Sequence, residues 1–338
     1  MNKVEMSNLI QKLAKNLQKY LLLYSLIAIF SGLMLGANFR VQNKALMSDI
    51  ATALVFLMIY PMMINLNISR FPLFLKKPKA ILLSLIYNFV ITPLISILMA
   101  HFFINDPNLA VGFLLVMLIP GSSMSIGYTG LAGGSLEVAT IALGINFIMI
   151  PVLLPIFMHI MSSSYHVAIP IWVLIKTILL VLILPMILGD LTRRAILKRS
   201  GEKKFIEIKP LLSTITMVSM LLIVALIFFM KADLLIKKWQ ILVLLSVVTL
   251  VYILVMLAII TWIDKRVGLS YKEHMGIAFL STGKNNGTAI AIAMLAFNPM
   301  VAIPAATLPL FQIIFLILYL HFSEKIKNYF GEKKGKNV

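Results

Sequence analysis

The sequence predicts an all-α polytopic membrane protein with ten transmembrane helices, arranged as two inverted repeats of five helices each. Its composition, its succession of apolar segments and the places where two segments are interrupted support this fold class. Hydrophobic residues form 61% of the 338 residues and charged residues only 12%, whereas soluble domains average about 25% charged residues. With so few charged residues, the chain cannot form a surface that is polar enough to face water on all sides. A soluble globule, a coiled coil and a disordered chain are therefore excluded.

Ten segments are long and apolar enough to cross a bilayer, since a helix of about 20 residues spans the hydrocarbon core. We expect spans at 20–37, 46–67, 79–102, 109–131, 136–160, 169–193, 209–230, 239–264, 272–296 and 300–321. The predicted parts are a cytoplasmic segment 1–19, repeats at 20–160 and 161–321, and a cytoplasmic basic tail 322–338. Kinks are expected at prolines 61, 93, 120, 151, 155, 185, 304 and 309.

The distribution of Lys and Arg predicts the orientation. If both termini are cytoplasmic, the cytoplasmic segments hold 23 of the 30 basic residues and the outer loops hold 5. This asymmetry follows the positive-inside rule, so we expect a multi-pass protein of the cytoplasmic membrane. The net charge of +18 then belongs to membrane-flanking loops. No nucleic-acid partner is predicted, because no recognition motif accompanies the charge.

The sequence contains no motif for bond-breaking chemistry. Cysteine is absent, which excludes disulfides and thiolate metal sites, and the five histidines lack metal-ligand spacing. No zinc-protease, nucleophile-elbow or phosphate-loop motif occurs. We therefore predict that the protein is not an enzyme and has no catalytic residue, resident metal or cofactor.

The fourth and ninth spans are predicted to be discontinuous and to cross near the membrane midplane. The fourth contains LIPGSSMSIGYTGLAGGS and the ninth FLSTGKNNGTAIAIA. They hold equivalent places in the two halves, and an odd number of spans per half inverts the second half, as in many secondary transporters. Small residues also allow close helix packing, but paired polar interruptions favour a binding site.

Lys284 is the most informative residue, because a cation deep in a span marks a functional site. It is interpreted as a charge for an anionic substrate or as a titrating group, with an ion pair to Glu137 or Asp49 as the alternative. Asn146 lines the site or bonds between helices, and Asn65, Asn88 and Gln312 are interpreted as packing residues. The complete predicted substrate- and ion-binding set is Ser122, Ser123, Ser125, Thr129, Asn146, Ser281, Thr282, Lys284, Asn285, Asn286 and Thr288.

The two interrupted segments resemble signature motifs of the bile acid:sodium symporter superfamily, which includes the arsenite permeases of arsenical resistance. The resemblance covers essentially the whole ten-span length. It implies two sodium sites around the crossing and a panel domain and a core domain that rock for alternating access.

The motifs agree with the family only in part. Ser125 and Asn286 match family residues, whereas the family's sodium-binding glutamate falls on Ser281 and its glutamine on Asn285. Lys284 stands where the symporters usually have no charge. Because sodium prefers anionic oxygen ligands, we hypothesise that Lys284 replaces one sodium ion and that transport is sodium-independent or proton-linked.

These observations predict a secondary active transporter that moves a small organic anion across the bilayer by alternating access. The coupling ion, if any, is Na⁺ or H⁺. The alternatives are an arsenite or oxyanion efflux permease and, from a different class, an ion channel. The segment INFIM (145–149) and the pair Asn285–Asn286 favour the arsenite permeases, whereas the absence of their fourth-span cysteine does not. Substrate, direction and oligomeric state are not predicted.

Overall fold

The computed structural model describes residues 3–39, 43–66, 77–165 and 171–331, and within these ranges it consists of helices and short connections without β-strands. The helices are α1 (Lys3–Lys19), α2 (Leu21–Asn38), α3 (Lys44–Asn65), α4 (Pro78–Ile86), α5 (Thr92–Phe103), α6 (Pro107–Leu118), α7 (Ser123–Leu131), α8 (Leu136–Ser164), α9 (Ile171–Ile178), α10 (Leu184–Met230), α11 (Ala232–Lys237), α12 (Gln240–Val267), α13 (Tyr271–Thr282), α14 (Asn286–Ala296), α15 (Pro299–His321) and α16 (Ser323–Tyr329).

Seven helical stretches in the described ranges are long and apolar enough to cross a membrane. The fourth and ninth predicted spans are not among them, because each is divided into two short helices, α6 with α7 and α13 with α14. The sixth and seventh predicted spans both lie in one helical stretch, Trp172–Met230. The all-helical class is confirmed, while ten crossings and an inverted repeat stay predictions.

The segment between the sixth and seventh predicted spans is helical, although we expected a loop there. Gly201 interrupts α10 with a φ of 74° and a ψ of 172°, in a region that side chains other than glycine rarely adopt. The surrounding Lys, Arg and Glu residues are helix formers in water. A charged connection between two spans can thus remain helical and bend at one glycine.

Two wide π-helical turns occur where prolines predicted kinks. One covers Tyr87–Ile91 and the other Leu179–Ile183, and each ends two residues before a proline, Pro93 or Pro185. Proline has no N–H and clashes with the carbonyl one turn earlier, so the preceding turn widens to five residues. Such turns are frequent at functional sites.

The helices form two groups with a shared interface. In the first group, α10 packs along α2 and α3, and α1 and α11 lie against it. In the second group, α15 packs on α6, α12 and α14, while α13 packs on α4, α7, α8 and α12. Contacts of α3 with α14, and of α2 and α10 with α15, join the groups. We call them the first and second bundles.

Burial differs sharply between the helices. Nearly every residue from Met275 to Ala293 is buried, including polar ones. By contrast, α2, α5 and α12 expose large apolar side chains such as Phe30, Phe102 and Trp262, the surface expected of lipid-facing helices. The α13–α14 segment is therefore the most enclosed part of the chain.

Candidate functional site

A cavity of about 240 Å³ lies between the two bundles. Its walls come from α3 and α10 on one side and from both helix interruptions on the other. The residues that matter for the argument are Met62, Ser213, Ser122, Ser125, Asn285, Asn286 and Gln312. A second cavity of about 560 Å³ adjoins it and shares Met62, Asn65, Ser122, Ser213 and Asn285 with it.

The first interruption separates α6 from α7. Pro120 cannot donate a backbone hydrogen bond, and Ser122 is extended, with a φ of −111° and a ψ of −176°. The Ser122 hydroxyl accepts a hydrogen bond from the N–H of Met124 at 3.3 Å, which caps the start of α7. The chain therefore stops one helix and starts another within four residues.

The second interruption separates α13 from α14, and Gln312 on α15 holds it from both sides. The N–H of Lys284 donates to Gln312 Oε1 at 2.9 Å, and Gln312 Nε2 donates to the Lys284 carbonyl at 3.1 Å. Asn285 caps α14 by accepting from the N–H of Thr288 at 3.1 Å. Backbone groups released from the helix thus find protein partners, as the absence of water in a membrane requires.

The two interruptions bond directly to each other. The N–H of Gly121 donates to the Leu280 carbonyl at 2.9 Å, and Ser125 Oγ donates to the Gly283 carbonyl at 3.2 Å. Thr129 Oγ1 donates to Ser125 O at 2.9 Å and lies 3.2 Å from Met275 O. The position of Gly121 has no room for a β-carbon, because the carbonyls of Leu280 and Gly283 are too close.

The ammonium group of Lys284 lies in a polar cluster of the second bundle. Nζ donates to Asn88 Oδ1 at 3.1 Å and sits 5.9 Å from the centre of the Tyr252 ring. Asn88 Nδ2 in turn donates to Ser281 Oγ at 3.1 Å. Among the described residues Lys284 forms no ion pair, so the pairing with Glu137 or Asp49 considered from the sequence is not observed.

Lys284 is among the residues that line the 240 Å³ cavity, but its ammonium is held by groups that do not. Its two partners, Asn88 and Tyr252, come from the π-helical turn and from α12, and neither lines the cavity. Lys284 is only 2% exposed. The geometry therefore favours a charge that stays inside the second bundle over one that contacts a solute in this cavity.

The predicted site residues separate into those that line the cavity and those that do not. Ser122, Ser125, Lys284, Asn285 and Asn286 line it. The others that the structure describes hold helices together or are buried behind the wall: Thr129, Asn146, Ser281, Thr282 and Thr288. Ser123 begins α7, and its side chain lies outside the described part.

Asn146 bonds between helices, the second of the two roles considered for it. Its Nδ2 donates to Ser84 Oγ at 2.9 Å and to the Ala142 carbonyl at 2.8 Å. Thr282 Oγ1 donates to the Ala278 carbonyl within its own helix. Four buried oxygens of residues that line the cavities or lie behind their walls have no protein partner: Asn65 Oδ1, Asn146 Oδ1, Asn286 Oδ1 and Thr288 Oγ1.

All three residues interpreted as packing residues are part of the site, and Asn65 lines both cavities. Gln312 holds the second interruption and lines the cavity, and Asn88 accepts from the Lys284 ammonium. An amide side chain in an otherwise apolar span was the available signal, since it needs partners at both ends. What the sequence lacked was the identity of those partners, which lie 28 and 196 positions away.

The larger cavity carries charged side chains. Arg193, Glu202 and Lys209 line it, and the Arg193 guanidinium and the Lys209 ammonium lie 4.6 and 5.3 Å from the centre of the Phe205 ring. Such cation–π contacts hold basic groups in place without neutralising them. In the part of the chain that the structure describes, no three His, Asp or Glu side chains come together as a metal site.

Comparison with known proteins identifies relatives of this chain by sequence. An uncharacterized transporter of Synechocystis is 25% identical over 312 residues, covering 83% of this chain and 81% of the relative. The arsenical-resistance protein Acr3 of Corynebacterium glutamicum is 24% identical, with the same coverage. The uncharacterized sodium-dependent transporter YocS of Bacillus subtilis is 24% identical, covering 86% of this chain and 88% of that protein.

The family model of the sodium bile acid symporters matches residues 52–238. The match covers more than half of the chain and includes the first interruption. The apolar helices agree with a multi-pass membrane protein. This chain belongs to the Sodium Bile acid symporter family.

Proposed function

We propose that this protein is a secondary transporter that moves a small anionic solute across the cytoplasmic membrane by alternating access. The observation that carries the proposal is the cavity between two helical bundles, into which the starts of two half-helices open. A cavity at an interface can open to either side when one bundle moves against the other. Its volume of about 240 Å³ suits a small solute.

The proposal includes ten membrane crossings in two inverted repeats, with both termini in the cytoplasm. The matched positions of the interruptions support the repeat, and the excess of Lys and Arg in alternate connections supports the orientation. The half-helices are too short to cross alone, but each pair, joined at its interruption, has the length of a span.

Two helix starts supply the preference for an anion. The cavity is lined by Ser122 and Ser125 at the start of α7 and by Asn285 and Asn286 at the start of α14. The first N–H groups of a helix have no partner within it and carry a partial positive charge. Two such starts beside one cavity favour a carboxylate, sulfonate or similar group.

Lys284 supports transport without sodium. Its ammonium lies between Asn88 Oδ1 and the Tyr252 ring, where it provides a positive charge that an exchangeable cation would otherwise provide. The name of YocS describes a sodium-dependent relative, so the two proteins differ in this proposed property. Sodium-independent or proton-linked transport is the expected behaviour here.

Arsenite is the second candidate substrate, because two relatives are named arsenical-resistance proteins. Asn285 and Asn286 offer amide groups that can bind the hydroxyls of neutral arsenous acid as well as an anion. A channel is the candidate from another class. Counterflow in proteoliposomes distinguishes it, since a carrier exchanges labelled for unlabelled solute without a gradient.

The test begins with thermal unfolding of the purified protein in the presence of pyruvate, taurocholate, isethionate or arsenite. A bound ligand at about 100 times its Kd stabilises the folded state by about 2.7 kcal/mol. We expect an anion to raise the unfolding midpoint and to show counterflow, and Asn286→Ala to lose both effects. Ser31→Ala is the control, since its hydroxyl bonds only within α2. Stabilisation by arsenite alone would select the second candidate.

The sodium part is tested with Lys284→Ala. If the ammonium takes a cation's place, the variant leaves Asn88 Oδ1 without its cation, and sodium should raise its unfolding midpoint relative to choline. The wild type should unfold at the same temperature in both salts. Strict sodium dependence of wild-type counterflow would refute this part and leave anion transport intact.

A further inference from the structure

A buried chain of hydrogen-bonded acidic and basic groups lies behind the cavity, at the junction of α12, α13 and α15. Asp264 and His274 are both fully buried, with His274 Nδ1 at 2.7 Å from Asp264 Oδ2. Tyr87 donates its hydroxyl proton to Asp264 Oδ1 at 2.5 Å. His274 Nε2 lies 2.7 Å from the Tyr319 hydroxyl. Every polar atom of this pair therefore has a partner.

Thr261, the last residue of this hydrogen-bond network, determines the direction of its hydrogen bonds. Thr261 Oγ1 donates its only proton to the Leu257 carbonyl at 2.6 Å, and the Tyr319 oxygen lies 2.7 Å from Thr261 Oγ1. Tyr319 must then donate to Thr261, because that hydroxyl has no second proton. The Tyr319 oxygen accepts from His274, so Nε2 carries a proton.

The proton count of the pair follows from this direction. Nε2 of His274 bears one proton, and the 2.7 Å contact between Nδ1 and the Asp264 carboxyl group requires a second one between them. The pair thus holds one proton more than a carboxylate beside a neutral imidazole, and its net charge is zero. Loss of that proton leaves a net charge of −1 and requires Tyr319 to turn its hydroxyl from Thr261 toward Nε2.

We propose that the Asp264–His274 pair is a proton-binding site that supplies the coupling ion of the transporter, with Tyr319 as the group that relays the proton. Ionisable groups buried inside a membrane protein often mark ion or proton pathways. A buried ion pair by itself contributes little to stability, so stability does not account for the arrangement. Histidine changes its charge between about pH 5 and 8 when unperturbed.

The site is connected to the lysine cluster through adjacent residues. Tyr87, which bonds to Asp264, precedes Asn88, which accepts from the Lys284 ammonium. Both belong to the wide turn Tyr87–Ile91. The negative charge created by proton release therefore lies on the hydrogen-bond partner of Tyr87, the residue that precedes Asn88 in the sequence. This places the proton site where its charge can act on the second interruption.

The aromatic ring of Phe330 covers the pair. It stacks on the His274 ring with 4.6 Å between centroids and 21° between planes. Phe330 follows α16, and this short helix lies against the end of α15. The ring separates the imidazole from the surrounding water, so proton exchange depends on its movement or on Tyr319.

Other titratable groups occur at this end of the neighbouring helices. They include Lys77 and Lys79 at α4, Tyr128 on α7, Glu137 on α8, Lys265 and Arg266 on α12, Tyr271, Lys272 and Glu273 on α13, and Glu324, Lys325, Lys327 and Tyr329 on α16. Lys77 pairs with Glu273 at 2.8 Å, and Lys79 bonds to the Val267 carbonyl. The hydrogen bond that Lys77 donates to Glu273 raises the pKa of Lys77, so Lys77 stays charged at neutral pH.

Proton binding is tested first without any solute, by ¹⁵N NMR of the full-length protein with labelled histidines. The signal of His274 is the one missing in His274→Gln, and exposed His101→Gln serves as the assignment control. We expect the His274 signal to change between the neutral and the protonated form as the pH is varied over the range in which the protein stays folded. A signal that stays in one form over this range while the protein remains folded would overturn the proposal.

Coupling is tested in proteoliposomes that contain a pH-sensitive dye, with whichever of pyruvate, taurocholate, isethionate or arsenite shows counterflow. This step rests on the proposed function. A gradient of about one pH unit can support about a tenfold concentration ratio for one proton per solute. We expect solute-linked proton movement in the wild type, and expect Asp264→Asn to retain counterflow but lose that ratio.

The outcomes separate the two proposals. Absence of counterflow with every solute contradicts the proposed function, while a titrating His274 still supports the proton site. Counterflow without proton movement in the wild type refutes the coupling role and leaves solute transport intact. If Asp264→Asn does not fold, Tyr319→Phe replaces it: it keeps the ring but cannot relay a proton, and a proton flux equal to the wild type would contradict the relay.

Discussion

The two helix interruptions resemble each other in sequence position but differ in what holds them. Side chains from other helices hold the second one, with Gln312 bonded to both backbone groups of Lys284. The first one is held mainly by the second, through bonds from Gly121 to Leu280 and from Ser125 to Gly283. The second interruption is therefore the fixed reference, and the first is positioned against it.

The burial of the two segments differs in the same sense. Almost every residue of α13 and α14 up to Ala293 is buried, whereas α7 exposes Leu131 and Gly127. A buried polar group without a partner lowers the stability of the folded state. Loss of a hydrogen bond should therefore reduce the free energy of unfolding more in the enclosed segment. Substitutions that disturb the second interruption should thus have larger effects than those confined to the first.

The largest effect is expected for Gln312→Leu, which removes both bonds to the Lys284 backbone. Leaving a buried donor and a buried acceptor unpaired costs about 1–3 kcal/mol each, so the free energy of unfolding should fall by about 2–6 kcal/mol. Thermal unfolding in detergent measures the change. Gln18→Leu is the matched control, because Gln18 also lines the cavity but is exposed. Equal losses in the two variants would contradict the proposed hierarchy.

An intermediate effect is expected for Gly121→Ala at the contact between the interruptions. The added methyl group meets the carbonyls of Leu280 and Gly283 and the Ser125 hydroxyl, and such overpacking costs about 1–3 kcal/mol. The matched control is Gly127→Ala, where the nearest atom, Gln18 Nε2, is 3.6 Å away. We expect unchanged or slightly higher stability for the control. If the Gly121 variant is as stable as the wild type, the two segments do not meet as described.

The smallest effect is expected for Ser125→Ala, which removes one hydroxyl bond to Gly283. A typical hydrogen bond contributes about 0.5–1.5 kcal/mol, and the Gly283 carbonyl loses this partner. Thermal unfolding should show a small decrease, and counterflow should continue at a reduced rate. A loss larger than that of Gln312→Leu would reverse the order in which the interruptions depend on each other.

The local features of this fold were readable from the sequence because their causes are local. Apolar length predicted the helices, and Pro120, Gly121 and the run from Gly283 to Asn286 predicted where two of them stop. Proline also predicted irregularity near Pro93 and Pro185, although it could not specify a wide turn in place of a bend. The helical connection between the sixth and seventh spans, within α10, was not predicted. A charge-rich sequence is compatible with both a loop and a water-exposed helix.

The partners of the polar side chains were not readable, since they depend on which helices become neighbours. Lys284 was recognised as exceptional, but its acceptor Asn88 lies 196 positions away. Asp264 and His274 were missed because each lies near the end of an apolar segment, where a polar residue needs no special explanation. Only the 2.7 Å distance between His274 Nδ1 and Asp264 Oδ2 shows that the two residues form a pair.

The wide turns at Tyr87–Ile91 and Leu179–Ile183 have one further consequence. Each contains one residue more than a regular turn needs, and one residue corresponds to about 100° of rotation around a helix axis. If the wide turn shifts its position along the helix, the part of the helix between its old and new positions rotates about the helix axis. The distance between the two ends of the helix changes little. The helices that contain these turns, α4 with α5 and α9 with α10, can thus rotate about their axes with little change in length or tilt.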